Sequence, residues 1–166
     1  MSLKEILESN FSLDETIKGF VESIEEFRND ISVFVKKEGL LKVARYLHNN
    51  EALEFIACRD VTAIDWAKRK NRFTVVHNIY SFKLKEYVRI KVNLDGDYPE
   101  IDSVTSIWSS AGWYERETYD MYGIKFIGHP DLRRMYMPEE FEYHPLRKEF
   151  PVLGIPGSIP LPDKGV

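Results

Sequence analysis

The stretch FTVVHNIYSFKLKEYVRIKVNL, residues 73–94, decides the fold class of this chain. Its first ten residues are rich in β-branched and aromatic side chains, which favour a strand. In its second half, polar residues alternate with four aliphatic ones, Val88, Ile90, Val92 and Leu94. That period of two is typical of a strand with one face in a core and the other in water. The two halves therefore predict an antiparallel strand pair, with His77 as a hydrogen-bonded histidine within the sheet.

Toward the N-terminus, the spacing of apolar residues predicts another strand between two helices. Apolar residues recur at helical spacing over residues 13–27, which predicts an amphipathic helix. The β-branched run ISVFV at residues 31–35 predicts a strand, and residues 40–47 repeat apolar side chains at i, i+3, i+4 and i+7, as a second helix does. Residues 53–66 predict a strand plus irregular chain, and the basic run at residues 68–72 predicts a solvated hairpin tip.

Two further helices are predicted beyond the strand pair. Asp102 and Ser103 are suitable N-cap residues for a helix that extends to Ala111. Residues 113–122 predict a second helix, which Gly123 ends in the left-handed conformation. This order of elements predicts an α+β fold, a mostly antiparallel sheet with helices packed on one side.

Length and composition favour a single folded domain with an appended arm. The chain has 166 residues, of which 43% are hydrophobic and 30% are charged, as expected for a globular domain with its own core. We assign residues 1–150 to the α+β domain and residues 151–166 to an extended arm rich in Pro and Gly. The four prolines of the arm exclude a regular helix or a central strand. Its apolar side chains predict that it lies extended along another subunit.

Charge and cysteine content exclude several classes of function. A formal net charge of -4 gives no electrostatic reason to expect nucleic acid or an anionic membrane surface as partner. No apolar run approaches the roughly 20 residues of a membrane span, and MSLKEILESN is not a signal peptide. Cys58 is the only cysteine, so this chain alone cannot form a disulfide or a thiolate cluster. We therefore expect any redox cofactor to lie elsewhere.

The densest mixture of charge, aromatics and His-Pro steps lies at residues 111–151, AGWYERETYDMYGIKFIGHPDLRRMYMPEEFEYHPLRKEFP. Arg116 and Asp120 are four residues apart on the predicted helix, which predicts an ion pair on its surface. Glu115 and Glu117 are two apart and point to nearly opposite sides of a helix. They therefore fail the geometry of a catalytic carboxylate pair, which must converge on one bond.

The two His-Pro steps have a structural interpretation. Proline favours an extended conformation in the residue before it, and the spacing of His129 and His144 matches no familiar set of metal ligands. We expect each imidazole to hydrogen-bond to backbone or carboxylate. Because Arg and Tyr are enriched at interface hot spots, we predict no catalytic, cofactor-binding or metal-binding residue, but a partner interface. Its predicted members are Glu115, Arg116, Glu117, Asp120, His129, Arg133, Arg134, Tyr136, His144, Arg147 and Lys148.

Three motifs of this segment carry a resemblance to a known family: ERETYDMYGI at residues 115–124, FIGHPDLRR at 126–134 and HPLRK at 144–148. With SVTSIWSSAGW at residues 103–113, the chain resembles the 30 kDa subunit of the proton-pumping NADH-quinone oxidoreductase, respiratory complex I. The resemblance implies a cofactor-free scaffold subunit of the peripheral arm. Such a subunit is a non-catalytic part of an enzyme that passes electrons from NADH to quinone and translocates protons.

The resemblance also implies partners and a location. Two other subunits of such a complex together form the quinone pocket, and this chain would pack chiefly beside one of them, near the other and near the iron-sulfur subunits. FMN and the iron-sulfur clusters would lie in partner subunits. The chain would be peripheral on the cytoplasmic face of the cell membrane, without a direct span.

Two alternatives to this assignment remain. One is a homologous subunit of a membrane-bound hydrogenase or plastid-type dehydrogenase complex. The other is a stand-alone acid/base enzyme that uses Glu115 or Glu117 with His129.

Overall fold

The computed structural model describes residues 2–67 and 70–155, which form an α+β structure around a five-stranded sheet. In the described residues the strands are β1 Val21–Phe27, β2 Asp30–Val35, β3 Ala57–Asp65, β4 Phe73–Ser81, β5 Glu86–Leu94, β6 Glu100–Asp102 and β7 Lys125–Ile127. The helices are α1 Leu3–Leu13, α2 Leu40–Asn49 and α3 Ala111–Tyr122, with short 3-10 turns at Lys18–Phe20 and Lys37–Gly39.

The pairing of β4 with β5 lies at the centre of the sheet, whose strand order is β1-β2-β5-β4-β3. The two strands are antiparallel, with Phe73 opposite Leu94 and Ser81 opposite Glu86. β5 also pairs in parallel with β2, while β1 with β2 and β3 with β4 form antiparallel hairpins. The strand pair predicted from residues 73–94 is confirmed, and so is the mostly antiparallel α+β class.

The apolar faces of the sheet and of the three helices meet in one core. Helix α2 confirms the prediction for residues 40–47 and contributes Leu40, Val43, Ala44 and Leu47, each with no exposed surface. A smaller parallel pair, β6 with β7, lies beside α3 and adds the buried Ile101. None of the helices seen in residues 2–67 and 70–155 combines the length and apolar character that a bilayer span requires.

The predicted helix at residues 13–27 is wrong. Helix α1 instead ends at Leu13 and begins at a capping box, in which the side chains of Ser2 and Glu5 each accept the other's backbone N–H. Residues 21–27 are strand β1, which is paired with β2. A register shift near Val21 lets Val21 and Ile24 pack against the core although they are three residues apart. Such a bulge imitates helical spacing, and pairing with the predicted strand ISVFV decides the outcome.

The predicted helix from Asp102 to Ala111 is also wrong. Residues 103–110 form turns, and α3 begins only at Ala111 before it ends, as predicted, at Gly123 with φ of 72°. Glu115 accepts a hydrogen bond from the hydroxyl of Ser103 and from the backbone N–H of Val104. Those two groups would otherwise cap and begin a helix, so their contact with α3 replaces helix formation here.

The predicted strand within residues 53–66 is confirmed as β3, but the solvated hairpin tip after it is only partly correct. Lys68 and Arg69 lie outside the described residues. Arg72 is not solvated, because only 14% of its side chain is exposed and it pairs with Asp65 and Asp97. Its role belongs to the site described below.

His77 lies in β4, as predicted, but it lacks the expected hydrogen bonds. The side chain has no exposed surface, and neither ring nitrogen has a well-oriented hydrogen-bond partner in the described structure. Burial lowers the pKa of His77 to about 4, against a weak opposing effect from the backbone of Ile90. The imidazole is therefore neutral at physiological pH, held in the core by packing.

We predict that His77→Leu removes an acid-sensitive contribution to stability. Below its ordinary pKa of 6.5, the unfolded chain protonates this histidine while the folded chain does not, so stability is lost as the pH falls from 6.5 to 4. The difference in free energy of unfolding between variant and wild type should grow in favour of the variant by about 3 kcal/mol over that range. Chemical denaturation at several pH values measures it. Parallel pH profiles for the two proteins would refute the effect.

Candidate functional site

Helix α3 anchors a long segment that has no helix or strand of its own. After β7, residues 128–150 run as turns and extended chain, a length unusual for a connection in a compact domain. We call residues 128–150 the anchored segment. Since it lacks ladder hydrogen bonds, its backbone groups must find partners elsewhere. Most of those partners are charged side chains.

Asp120 of α3 is the first anchor. Its side chain has no exposed surface, and Oδ2 accepts three backbone N–H groups, from Met135 at 2.9 Å, Tyr136 at 2.7 Å and Met137 at 3.0 Å. Oδ1 lies 3.3 Å from Nη1 of Arg134, a charge contact without hydrogen-bond alignment. The surface pair predicted between Asp120 and Arg116 is therefore wrong, because Asp120 faces the anchored segment and not solvent.

Arg116 binds the same part of the segment from the opposite polarity. Its Nε donates to the carbonyl of Arg133 at 3.1 Å, and its Nη2 donates to that of Arg134 at 3.3 Å. The guanidinium also lies 5.0 Å from the ring centroid of Trp113. Asp120 thus satisfies amides 135–137 while Arg116 satisfies carbonyls 133 and 134, which fixes the chain direction at this point.

The HPLR stretch is the second anchor, because it caps the C-terminal end of α3. The last four carbonyls of a helix lack intrahelical donors, and here residues 119–122 each receive one. In order along the helix the donors are Gly123 N, His144 Nδ1, Leu146 N and Arg147 Nε, at 2.8, 2.9, 3.1 and 2.6 Å. A carbonyl only accepts, so His144 carries its proton on Nδ1. The cation of Arg147 also suits the negative end of the helix dipole.

Gly123 permits this close approach. Its φ of 72° is a conformation that other residues adopt only with strain. A Cβ at this position would lie 2.5 Å from His144 Nε2 and 2.6 Å from Arg147 Nη2. The glycine therefore serves both the helix end and the seat of the capping side chains.

The third anchor joins the end of the segment to the β3–β4 hairpin. Buried Asp65 receives Nε and Nη2 of Arg72, both at 3.2 Å, and the backbone N–H of Lys148 at 2.8 Å. Arg72 reaches on to Asp97 at 2.7 Å and pairs with Glu149. Burial favours a raised pKa for Asp65, but these hydrogen bonds outweigh it and hold the pKa below its usual value. Asp65 is absent from the residues predicted from the sequence, because it has no local signal.

Both His-Pro histidines hydrogen-bond to the backbone, as predicted. His129 Nε2 lies 3.0 Å from the carbonyl of Gly112, and its Nδ1 accepts the N–H of Asp131 at 3.0 Å. Within residues 2–67 and 70–155, no three His, Cys, Asp or Glu side chains cluster as metal ligands would. With both nitrogens of His129 occupied by backbone groups, the structure gives no support to its use as an acid or base with Glu115 or Glu117.

Glu115 is the one buried carboxyl group of α3 that lacks a basic partner among the residues described. Oε2 lies 2.6 Å from the hydroxyl of Ser103, and Oε1 accepts the N–H of Val104 at 2.8 Å. Burial raises its pKa to about 7, and the two hydrogen bonds only partly offset this. The side chain links α3 to the turn after β6 and is sealed from solvent.

The predicted interface residues therefore divide by exposure. Glu115 and Asp120 are fully buried, so their contacts are internal to this chain. Half-buried members are Arg116, Glu117, His129, Arg134, His144 and Arg147, and the exposed members are Arg133, Tyr136 and Lys148. Arg133 pairs with Asp131 at 2.7 Å. Contact with a partner remains a prediction for the members that reach the surface.

Large apolar side chains are exposed on and around the anchored segment. We define the exposed apolar set as Trp113, Tyr136, Tyr143, Leu146, Val152 and Leu153, with exposures of 63, 58, 43, 50, 102 and 99%. Val152 and Leu153 begin the predicted extended arm, whose residues 156–166 lie outside the described residues. Exposed apolar groups concentrated on one part of a fold are a mark of interaction surfaces.

Comparison with known proteins places this fold in a class of respiratory-chain proteins. A family model described as the respiratory-chain NADH dehydrogenase 30 Kd subunit matches residues 33–155. An NADH-quinone oxidoreductase subunit of Geobacter metallireducens is 40% identical over 149 residues, which cover 89% of this chain and 90% of the relative. The chain therefore belongs to the respiratory-chain NADH dehydrogenase 30 kDa subunit family, as its motifs indicate.

Solved structures share the fold. A trypsin-resistant fragment of Nqo5 matches with a TM-score of 0.61 and 29% identity, over 80% of this chain and all of the fragment. A protein from the membrane-bound sulfane sulfur reductase, an archaeal respiratory membrane complex, matches with a TM-score of 0.71 over 90% of this chain and 85% of its own length. At 22% identity, the second match is evidence for the fold alone.

We predict that Glu115→Gln makes the chain relatively more stable as the pH rises. The folded chain keeps the proton of Glu115 up to a pH of about 7, while the unfolded chain releases it near 4.5, so wild-type stability falls as the pH rises between these values. Gln can accept from Val104 and donate to Ser103. The variant should gain about 3 kcal/mol on the wild type between pH 4.5 and 8.

Denaturation at fixed pH values measures this difference, and Glu117→Gln on the same helix is the matched control. A constant difference between Glu115→Gln and wild type across the range would contradict the burial argument.

Proposed function

We propose that this chain is the 30 kDa-type subunit of an NADH-quinone oxidoreductase of the complex I type and acts there as a scaffold without a catalytic role of its own. Electrons would pass from NADH to quinone through FMN and iron-sulfur clusters of other subunits. The chain would sit in the peripheral arm, on the cytoplasmic face of the membrane. Its chief partner would be one of the two subunits that form the quinone pocket, with the other and the iron-sulfur subunits nearby.

The observation that carries this proposal is the exposed apolar set on a segment held by buried charges. Trp113 and Tyr136 are the aromatic types found at interface hot spots. The anchors of α3 hold their backbone in place before any partner arrives, which lowers the entropy cost of binding. The polar groups nearby already have partners within the chain, so a neighbour meets mainly apolar surface. Such a surface suits a lasting contact between subunits.

A second candidate is the equivalent subunit of a related membrane complex that uses another electron donor. The fold match to the sulfane sulfur reductase protein supports this candidate. The higher sequence identity to the Geobacter metallireducens relative favours the NADH-quinone assignment. Purification of the native assembly, with measurement of its flavin, quinone and nickel content, distinguishes the two.

We predict that Trp113→Ala and Tyr136→Ala lower the amount of assembled complex while the isolated chain stays folded. Loss of an interface hot spot costs about 2 kcal/mol or more, which weakens binding roughly thirtyfold. Native gels of membranes measure assembly, and thermal unfolding of the purified chain measures stability. Tyr98→Ala is the matched control, because Tyr98 is 91% exposed and lies outside the anchored segment.

Wild-type assembly in both variants, or an equal loss in Tyr98→Ala, would count against the proposed interface. Oxidation of NADH by the purified chain alone would count against the scaffold role.

A further inference from the structure

A second surface, separate from the anchored segment, has the features of a binding groove. A groove of about 900 Å³ lies between the turn around Lys18–Phe20 and the outer face of α2. Its apolar floor contains Ile17, which is 1% exposed, and the half-buried Phe20 and Tyr46. Its polar rim consists of Glu15, Thr16, Lys42, Arg45, Asn49 and Asn50. It shares no residue with the exposed apolar set.

The α2 side of the groove presents a row of hydrogen-bond donors. Lys42, Arg45 and Asn49 follow at i, i+3 and i+7, so they lie along one face of the helix. Nζ of Lys42 lies 4.6 Å from the ring centroid of Phe20, which holds the ammonium group over the groove wall. The side-chain oxygen of Asn49 lies 2.7 Å from Nδ1 of His48. The remaining polar group of Asn49 is its NH₂, a donor.

The positive charges of this row are uncompensated. Neither Lys42 nor Arg45 has an ion-pair partner within residues 2–67 and 70–155. The one carboxylate of the rim, Glu15, lies 3.8 Å from Nζ of Lys18. The groove therefore carries two free positive charges in a chain whose formal net charge is -4. Charge complementarity selects an acidic occupant.

We propose that this groove binds an acidic amphipathic helix of a partner protein. Residues 42 to 49 span about 10.5 Å along α2, because a helix rises about 1.5 Å per residue. A partner helix with carboxylates at i, i+3 and i+7 matches that span, while its neighbouring apolar residues cover Ile17 and Phe20. A concave groove with an apolar floor fits a helix and does not fit a flat lipid surface. The proposal rests on the groove alone and is independent of the proposed function.

The test is an NMR titration of the full chain with a defined probe, a 16-residue helical peptide with Glu at i, i+3 and i+7 and Leu on the adjacent face. Chemical-shift changes should be confined to residues 15–20 and 42–50. Lys42→Glu/Arg45→Glu should weaken binding at least about tenfold, because like charges then face each other. Lys83→Glu/Lys85→Glu, exposed on the β4–β5 turn, is the control and should bind as the wild type does.

A scrambled peptide of the same composition and vesicles containing phosphatidylglycerol complete the design. Equal binding of both peptides, shift changes outside the groove, or a double variant that still binds would overturn the proposal. So would shift changes at Lys42 and Arg45 with vesicles but none with the peptide, since the groove would then bind lipid. Folding of the double variant is checked by its unperturbed sheet resonances.

Discussion

One buried carboxylate, that of Asp120, fixes the part of the chain that carries the family motifs. A charged group in a protein interior costs several kcal/mol unless hydrogen bonds and an opposite charge compensate it. Here three consecutive backbone N–H groups and the guanidinium of Arg134 provide that compensation. Displacement of the anchored segment would leave Asp120 without them. The segment therefore stays on the domain although it has no helix or strand.

The other two anchors extend this constraint over the rest of the segment. The HPLR stretch occupies the carbonyl end of α3, and Asp65 with Arg72 holds the backbone at Lys148. Charged and polar residues of the motifs are thus largely engaged within the chain. What remains for a neighbour is the exposed apolar set, presented on a rigid support. A motif rich in Arg, Asp and His accordingly defines a shape whose contact surface is aromatic and aliphatic.

The sequence predicts the periodic parts of this structure and fails where distant contacts decide. Alternation in β5 and helical spacing in α2 are local signals, and both elements form as predicted. The bulge in β1 imitates a helix, and only its pairing with β2 reveals the strand. The i, i+4 spacing of Arg116 and Asp120 shows that they share a helix face but not that this face is covered. Asp65 carries no local signal, because its partners lie in the next strand and 83 residues further on.

The central claim is that Asp120 holds the anchored segment in the isolated chain, before any partner binds. Native-state hydrogen exchange at the amides of residues 135–137 tests it most directly. We predict exchange at least about 100-fold slower than in an unstructured chain, because local opening must break the contacts to Asp120. In Asp120→Asn this protection should be lost there while amides of β4 and β5 keep theirs. Exchange of these three amides at the unstructured rate in the wild type would contradict the account.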